Sequence, residues 1–185
     1  LIYTATGTMN MADLAQRIPQ LDHGLQVAFA LFLFLVFGIK AAVFPLFFWL
    51  PDSYPTAPSP VTAIFAGLLT KVGVYALIRT QVSLFPAEVR PTTFILVTAA
   101  LTMIIGVLGA VAQNDVKRIL SFHIVSQIGY MVMGLGLFTV AGIAAAVFFT
   151  IHQIVVKTAL FLTAGLVEHV GGSSRLNRVG GLASS

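Results

Sequence analysis

The sequence contains no cysteine, and only 9% of its 185 residues are charged. The absence of cysteine excludes disulfides, a thiolate metal site and a cysteine nucleophile. The ten basic residues outnumber the six acidic ones, but they form no basic cluster of the kind that binds nucleic acid. A phosphate-binding loop and the GxSxG and HExxH motifs are also missing. We therefore expect neither a nucleic-acid partner nor the chemistry of these soluble enzymes.

Long apolar runs take the place of these features. Hydrophobic residues make up 58% of the chain, well above the share in soluble domains. Runs of about 20 apolar residues match the hydrocarbon core of a bilayer, which is roughly 30 Å thick. The runs are continuous and lack the period-2 alternation of a membrane β-barrel. The predicted fold class is all-α, a polytopic transmembrane helix bundle.

Five membrane spans are predicted, at residues 25–50, 60–79, 92–112, 117–138 and 141–167. The first would be about 39 Å long at 1.5 Å per residue, which exceeds a straight crossing. Pro45 has no N–H and its ring clashes with the preceding turn, so we expect a break or kink between Gly38 and Phe47. Backbone groups freed inside a membrane must be satisfied by protein or water. The break therefore predicts a wet, buried site.

The ends of the spans carry capping and turn signals. Ser59 and Pro60 are predicted to be the cap and the first helical position of the second span. Asp115 is predicted to cap the fourth span, and residues 1–23 to form a preceding segment with one or two amphipathic turns. The chain begins at Leu1 and ends just after a glycine-rich loop. We interpret residues 1–185 as an internal fragment of one membrane domain.

Three lysines lie inside the predicted spans: Lys40, Lys71 and Lys157. A charged side chain at the bilayer centre costs about 2.5–3.5 kcal/mol on insertion scales, so such residues usually have a function. Burial destabilises the charged form of a lysine, which allows it to exchange protons. The alternative is snorkelling, in which the ammonium reaches the headgroups. Long uncharged stretches flank Lys71 and Lys157, so snorkelling fits these two poorly.

Small and polar residues share helix faces with these lysines. Ala63, Gly67 and Lys71 are four residues apart, and the two small side chains allow another helix to approach. Gln153 lies one turn before Lys157 on the same face of the fifth span. The fourth span carries a polar stripe at helical spacing, made of His123, Ser126, Gln127 and Tyr130.

Two histidines are candidate partners of the lysines, either as proton carriers or as ordinary hydrogen-bonding groups. His123 opens the polar stripe, whereas His152 lies about 140° around the fifth helix from Lys157. We expect no metal site from His123, His152 and His169, because their spacings match no helical ligand pair such as i, i+4.

Three runs of the sequence resemble a known family. GIKAAVFPLFFWLPDSYPTAPSPVTAIFAGLLTKVGVYALIR, NDVKRILSFHIVSQIGYM and IHQIVVKTALFLTAG resemble the proton-conducting antiporter-like membrane proteins. That family includes the antiporter-like subunits of respiratory complex I and of the Mrp-type multisubunit Na+/H+ antiporters. The runs cover most of residues 25–167. The form FFWLPDSY, followed by LLTKVGVY and VVKTALFL, is most similar to the D subunits of the Mrp antiporters.

The resemblance implies roles for the three lysines within an inverted-repeat fold of about fourteen helices. Lys40 matches the lysine of a broken helix, Lys71 a bridging lysine and Lys157 the lysine of a central relay. In the family, a glutamate that pairs with the Lys40 position lies upstream of the residues present here. Complex I relatives have a histidine where Gln153 stands, so the resemblance leaves water or His152 to bridge this step.

The resemblance also implies a function: a proton-translocating membrane subunit of a multisubunit Na+/H+ or other monovalent cation/proton antiporter. Such a chain is a secondary transporter subunit of the bacterial plasma membrane, without a cofactor of its own. Its partners would be other membrane subunits, protons, Na+ or another monovalent cation, and the lipid bilayer. Two alternatives stay open, a proton-pumping subunit of a complex I-type NADH-quinone oxidoreductase and a non-transporting membrane scaffold.

Overall fold

A computed structural model describes residues 1–180 of the chain; residues 181–185 lie outside the described part. The described residues form eight α-helices. In chain order they are α1 (Ile2–Thr6), α2 (Met11–Arg17), α3 (His23–Ala41), α4 (Trp49–Ser53), α5 (Ser59–Ser83), α6 (Thr92–Val111), α7 (Val116–Gly136) and α8 (Val140–Gly171). Five of them, α3 and α5 to α8, are long and apolar enough to cross a membrane. The predicted all-α, polytopic fold class is confirmed.

The helix ends differ from the sequence expectation in three places. The prediction that Ser59 caps α5 is wrong: Ser59 is already helical, and Pro58 is the cap residue without a side-chain hydrogen bond. The α3 helix begins at His23, where the Asp22 carboxylate accepts a hydrogen bond from the Gly24 amide at 2.9 Å. The α8 helix has 32 residues and extends to Gly171, whereas the predicted fifth span ends at residue 167. Its length of about 48 Å exceeds the hydrocarbon core, so it extends beyond the membrane.

The first membrane helix ends at Ala41, four residues before Pro45. Ala42 adopts a left-handed conformation with φ 64°, and its amide closes the helix end on the Ile39 carbonyl at 3.1 Å. Residues 43–48 form turns, and α4 follows. The Phe44 amide donates to the Thr102 hydroxyl of α6 at 3.0 Å. The Trp49 indole N–H donates to the Ile39 carbonyl, also at 3.0 Å. Side chains of neighbouring residues thus form hydrogen bonds with backbone groups that the break leaves without helical partners.

The α5 helix lies between α3 and α8, and glycines allow both contacts. A Cβ at Gly73 would lie 2.6 Å from the backbone nitrogen of Ala41 in α3. Gly67 packs against Thr158 of α8, whose hydroxyl oxygen lies 3.4 Å from the Ala63 carbonyl. Ala63 and Gly67 therefore provide the close helix contact that their spacing predicts.

The short N-terminal helices pack beside the five long ones. Leu14 and Ile18 form a small hydrophobic cluster with Phe29 of α3 and Phe85 of the α5–α6 connection. The α2 helix occupies the stretch where the sequence predicts amphipathic turns. Its N-cap is Asn10, whose side chain accepts a hydrogen bond from the Ala12 amide at 2.9 Å.

Candidate functional site

Lys157 is fully buried in the bundle and contacts a histidine of the neighbouring helix. Its side chain is 0% exposed, and its ammonium nitrogen forms a hydrogen bond with Nδ1 of His123 on α7. Gln153, one turn earlier on α8, is also buried. Its Oε1 has no hydrogen-bond partner among the described residues. This combination of two proton-binding groups and a free amide oxygen can hold and pass a proton between α8 and α7.

Lys71 is buried on α5, and its ammonium donates a hydrogen bond to the Ala66 carbonyl of the same helix. The α5 and α8 helices are antiparallel, because Ser59 faces Gly165 and Gly67 faces Thr158. Lys71 and Lys157 therefore lie about 5 Å apart along the bundle axis, roughly one helical turn. The Lys71 ammonium points back towards Ala66, which brings it closer to the level of Lys157.

Lys71 also lines an apolar groove between α5 and α8 with a volume of about 430 Å³. Thr150 and Ile154 of α8 form part of the opposite wall. Beside Lys71, the hydroxyl of the buried Thr70 has no hydrogen-bond partner within residues 1–180. The surroundings of Lys71 are thus largely apolar, with a single carbonyl to solvate its charge.

Lys40 occupies the last turn of α3, immediately before the break, and its side chain is exposed. A cation at a helix C-terminus is favoured by the helix dipole. Gly73 of α5 packs on the backbone of Lys40 and Ala41, so Lys40 lies on the helix next to that of Lys71. Gly38 is buried in the last turn of α3, before the break, and Pro45 is exposed in the turn after the break. Among the three lysines, Lys71 and Lys157 are inside the bundle and Lys40 is at its surface.

His152 lies on the exposed side of α8, away from Lys157. Its ring stacks on Phe149 with a centroid distance of 6.1 Å and an interplanar angle of 19°. The polar stripe of α7 also divides: His123 faces Lys157, whereas Ser126 packs against Gly106 of α6. Within residues 1–180, no three His, Asp or Glu side chains come together as metal ligands would.

Sequence reasoning missed an ion pair at the far ends of α7 and α8. Lys117 is buried, and its nitrogen lies 2.5 Å from Oε2 of Glu168, whose side chain is 41% exposed. The sequence indicates that both residues lie near helix ends, but it does not predict their contact. When two consecutive helices pack antiparallel, the start of the first lies beside the end of the second. The opposite charges of Lys117 at the start of α7 and Glu168 at the end of α8 were therefore the one available signal of their contact. A second ion pair at this end of the bundle joins Arg118 and Asp52 at 3.0 Å.

Five membrane-crossing helices, one of which ends in a break, define a polytopic membrane protein with lysine side chains buried in its interior. The chain belongs to the family described as NADH:quinone oxidoreductase/Mrp antiporter, TM, which matches residues 1–185. It is 51% identical over 183 residues to the D subunit of the Na+/H+ antiporter of Alkalihalophilus pseudofirmus, and 39% identical to that of Bacillus subtilis. Each alignment covers 98% of this chain but 37% of the relative. The chain thus spans little more than a third of these relatives.

Two solved structures have the same fold. A chain of the Mrp complex from Dietzia sp. DQ12-45-1b matches with a TM-score of 0.83 and 44% identity, over 91% of this chain and 31% of that one. A chain of the archaeal membrane-bound sulfane sulfur reductase matches with a TM-score of 0.87 and 33% identity, over 96% and 37%. The family resemblance is confirmed. Together with the bacterial relatives, the five spans indicate a multi-pass protein of the bacterial plasma membrane.

Proposed function

We propose that this chain is part of a proton-translocating membrane subunit of a multisubunit cation/proton antiporter, with Na+ or another monovalent cation as the exchanged ion. The observation that carries the proposal is the buried contact between Lys157 and His123. The 51% identity to the D subunit of a Na+/H+ antiporter supports antiport as the activity. Other membrane subunits of such a complex are its partners.

Electrostatic repulsion between neighbouring sites makes the proton move. Two unit charges about 8 Å apart repel by about 2 kcal/mol at an effective dielectric constant near 20. A proton arriving at Lys71 therefore disfavours the charged form of Lys157, about one turn away along the bundle. Lys157 can relieve the repulsion by transferring its proton to His123, with which it shares a hydrogen bond. The free oxygen of Gln153 provides an acceptor for a water molecule at this point.

The relay follows the order in which the helices pack. Lys40 lies at the break in α3, Lys71 on the adjoining α5, Lys157 on α8 and His123 on α7. The break, with Gly38 and Pro45 around it, keeps backbone groups near Lys40 hydrated or bonded to neighbours. His152 faces outward on α8, away from Lys157, so the proposed relay does not include it.

The two histidines provide a matched test. In everted vesicles containing the complete complex, we expect His123→Gln to reduce cation-dependent proton movement by about a hundred-fold, the lower end of the range for loss of a general acid–base group. His152→Gln should stay within about two-fold of wild type, because its ring lies outside the line of lysines. Equal amounts of assembled complex are verified on native gels. A larger loss for His152→Gln than for His123→Gln would contradict the proposal.

A second candidate is a proton-pumping subunit of a redox-driven complex. The similarity to a chain of an archaeal respiratory membrane complex supports this second candidate. The same lysines would carry protons there, and the difference would lie in the partner subunits. The scaffold alternative requires that neutralising Lys40, Lys71 and Lys157 together leaves transport intact.

A further inference from the structure

The turn that follows α3 is attached to another helix by one backbone amide. The amides of Val43 and Leu46 donate to carbonyls of α3 and of the turn itself, at 3.1 and 2.6 Å, and Pro45 has no N–H. The Phe44 amide instead donates to the hydroxyl of Thr102 on α6, at 3.0 Å. Within residues 1–180, it is the one amide of residues 43–46 whose partner lies outside this part of the chain.

The hydroxyl of Thr102 acts as both acceptor and donor. It accepts the hydrogen bond from the Phe44 amide and donates one to the Thr98 carbonyl, one turn earlier on α6, at 2.6 Å. Thr102 is 0% exposed, so bulk water cannot take the place of its hydroxyl. A buried amide that loses its acceptor carries the full cost of its desolvation. The hydroxyl therefore holds Phe44 in place, beyond the packing that the shape of Thr102 provides.

The α6 helix is a firm support, because its backbone lies directly on that of α7. A Cβ at Gly106, one turn after Thr102, would overlap the backbone of Ser126 on α7. His123, which contacts Lys157, lies one turn before Ser126 on the same helix. The α6 helix thus connects the turn after α3 to the helix that carries His123.

Lys40 lies four residues before Phe44, at the other side of the same turn. Ala42 between them is fully buried and left-handed, with φ 64°. A residue other than glycine keeps this conformation only where its surroundings hold it. Gly73 of α5 contacts the backbone of Lys40 and Ala41 on one side, and the bond from Phe44 to α6 holds the other. Release of Phe44 would therefore free the last turn of α3 to change direction.

We propose that Thr102 is a positioning residue of the relay. Its hydroxyl holds the turn after α3 on α6 and thereby keeps Lys40 in register with the helix that carries His123. Thr102 itself carries no proton. The proposal rests on the proposed function of the chain, because it assigns the residue a role in the placement of the relay groups.

Three substitutions separate the hydroxyl from the shape of the side chain. Thr102→Val keeps the shape and removes the hydroxyl, whereas Thr102→Ser keeps the hydroxyl. Thr98→Val is the matched control, because its hydroxyl donates only to the Phe94 carbonyl of its own helix, at 2.8 Å. In vesicles with the complete complex, Thr102→Val should slow cation-dependent proton movement by about ten-fold, since ångström-scale misplacement costs up to about a hundred-fold. Thr102→Ser and Thr98→Val should stay within about two-fold of wild type.

Hydrogen exchange at the Phe44 amide reports the bond directly. In the purified complex, with exchange resolved to single residues by mass spectrometry, Thr102→Val should lower the protection of this amide by about ten-fold, as expected for a buried N–H without an acceptor. Thr102→Ser and Thr98→Val should leave its protection unchanged. Unchanged exchange in the middle of α6 verifies that the bundle stays folded in all three variants.

Several outcomes would overturn the proposal. Wild-type transport by Thr102→Val would do so, whether or not the amide is exposed. Equal slowing by Thr102→Ser would also do so, because the effect would then lie in the methyl group. If Thr102→Val does not assemble, Thr102→Ala replaces it, since a water molecule can fill the space of the lost groups. Wild-type transport by Thr102→Ala would overturn the proposal in the same way.

Failure of this proposal is distinguishable from failure of the proposed function. Loss of transport in His123→Gln together with wild-type transport in Thr102→Val would reject only the role of Thr102. Wild-type transport in both variants would reject the relay itself. Exchange at Phe44 does not depend on transport, so it tests the bond to α6 in either case.

Discussion

At the scale of single residues, Lys71 and Lys157 differ in the group that solvates their charge. The Lys71 ammonium has a backbone carbonyl, which accepts a hydrogen bond but cannot accept a proton. The Lys157 nitrogen has an imidazole, which can do both. In the proposed relay, Lys71 would therefore receive and return protons along the lysine line, and Lys157 would send them across to α7.

Replacing Lys71 by methionine separates charge from packing. Lys71→Met keeps a long flexible stem in the same space and removes a buried, poorly solvated charge, a change that is often neutral or stabilising. We expect the thermal midpoint of the purified complex to stay the same or rise, while ion-dependent proton movement is lost. Arg79→Met, at the exposed end of the same helix, is the control. A loss of stability of about 2–5 kcal/mol, as for a core cavity, would show that Lys71 is structural.

The burial of Lys71 and Lys157 was predictable from sequence, whereas their contacts were not. An ionisable residue within a long apolar run stands out by itself, which is why the sequence predicts Lys71 and Lys157. The contact of Lys157 with His123 depends on the register between α7 and α8. That register follows from the close approach of Gly134 to Gly142, where an added Cβ would meet the opposite carbonyl at 2.7 Å. Neither helix encodes this register in its own periodicity.

At the scale of elements, the end of α3 combines a local and a tertiary cause. Pro45 cannot donate to the Ala41 carbonyl, and the residue before a proline avoids helical geometry. This much can be read from the sequence. The left-handed turn at Ala42 and the bond from Phe44 to Thr102 depend on α6 lying alongside, which no local pattern reveals.

Gly73 tests how strongly α5 supports this helix end. Gly73→Ala would place a methyl group against the backbone of Ala41, which cannot move aside as a side chain can. Overpacking of this kind costs up to about 3 kcal/mol. That exceeds the roughly 1 kcal/mol that alanine gains over glycine in a helix. We expect a lower thermal midpoint and slower transport, because Lys40 and Lys71 move apart.

Gly180→Ala is the control for this substitution, since no atom lies within 4 Å of the added methyl group. Both variants are compared by thermal unfolding of the purified full-length protein. Equal midpoints for the two would mean that α3 and α5 can separate without cost, and that the helix end is held by α6 and Trp49 alone.

At the scale of the whole molecule, the fold does not by itself choose between antiport and redox-driven pumping. Similar chains occur in an Mrp complex and in an archaeal respiratory membrane complex. The sequence could therefore predict the bundle and its lysines, but the source of energy depends on the subunits that bind to it. These contacts involve surfaces that a single chain leaves exposed.

Copurification distinguishes the two assemblies. We expect the full-length protein, tagged and extracted from its native membrane in mild detergent, to bring down further membrane subunits with no flavin absorbance. An untagged strain treated in parallel gives the background. Stoichiometric flavin or iron–sulfur absorbance in the purified complex would instead favour the redox-driven alternative.

The hydrogen bond from Trp49 to the end of α3 makes the break visible to spectroscopy. Trp49 is the one tryptophan in these 185 residues, and its indole N–H is bonded to the Ile39 carbonyl. Indole fluorescence responds to hydrogen bonding and to the polarity around the ring. If the helix end unwinds or hydrates as a proton passes Lys40, the emission of Trp49 should shift to longer wavelength at that moment. Trp49 thus serves as an intrinsic fluorescence probe of the end of α3, without an added label.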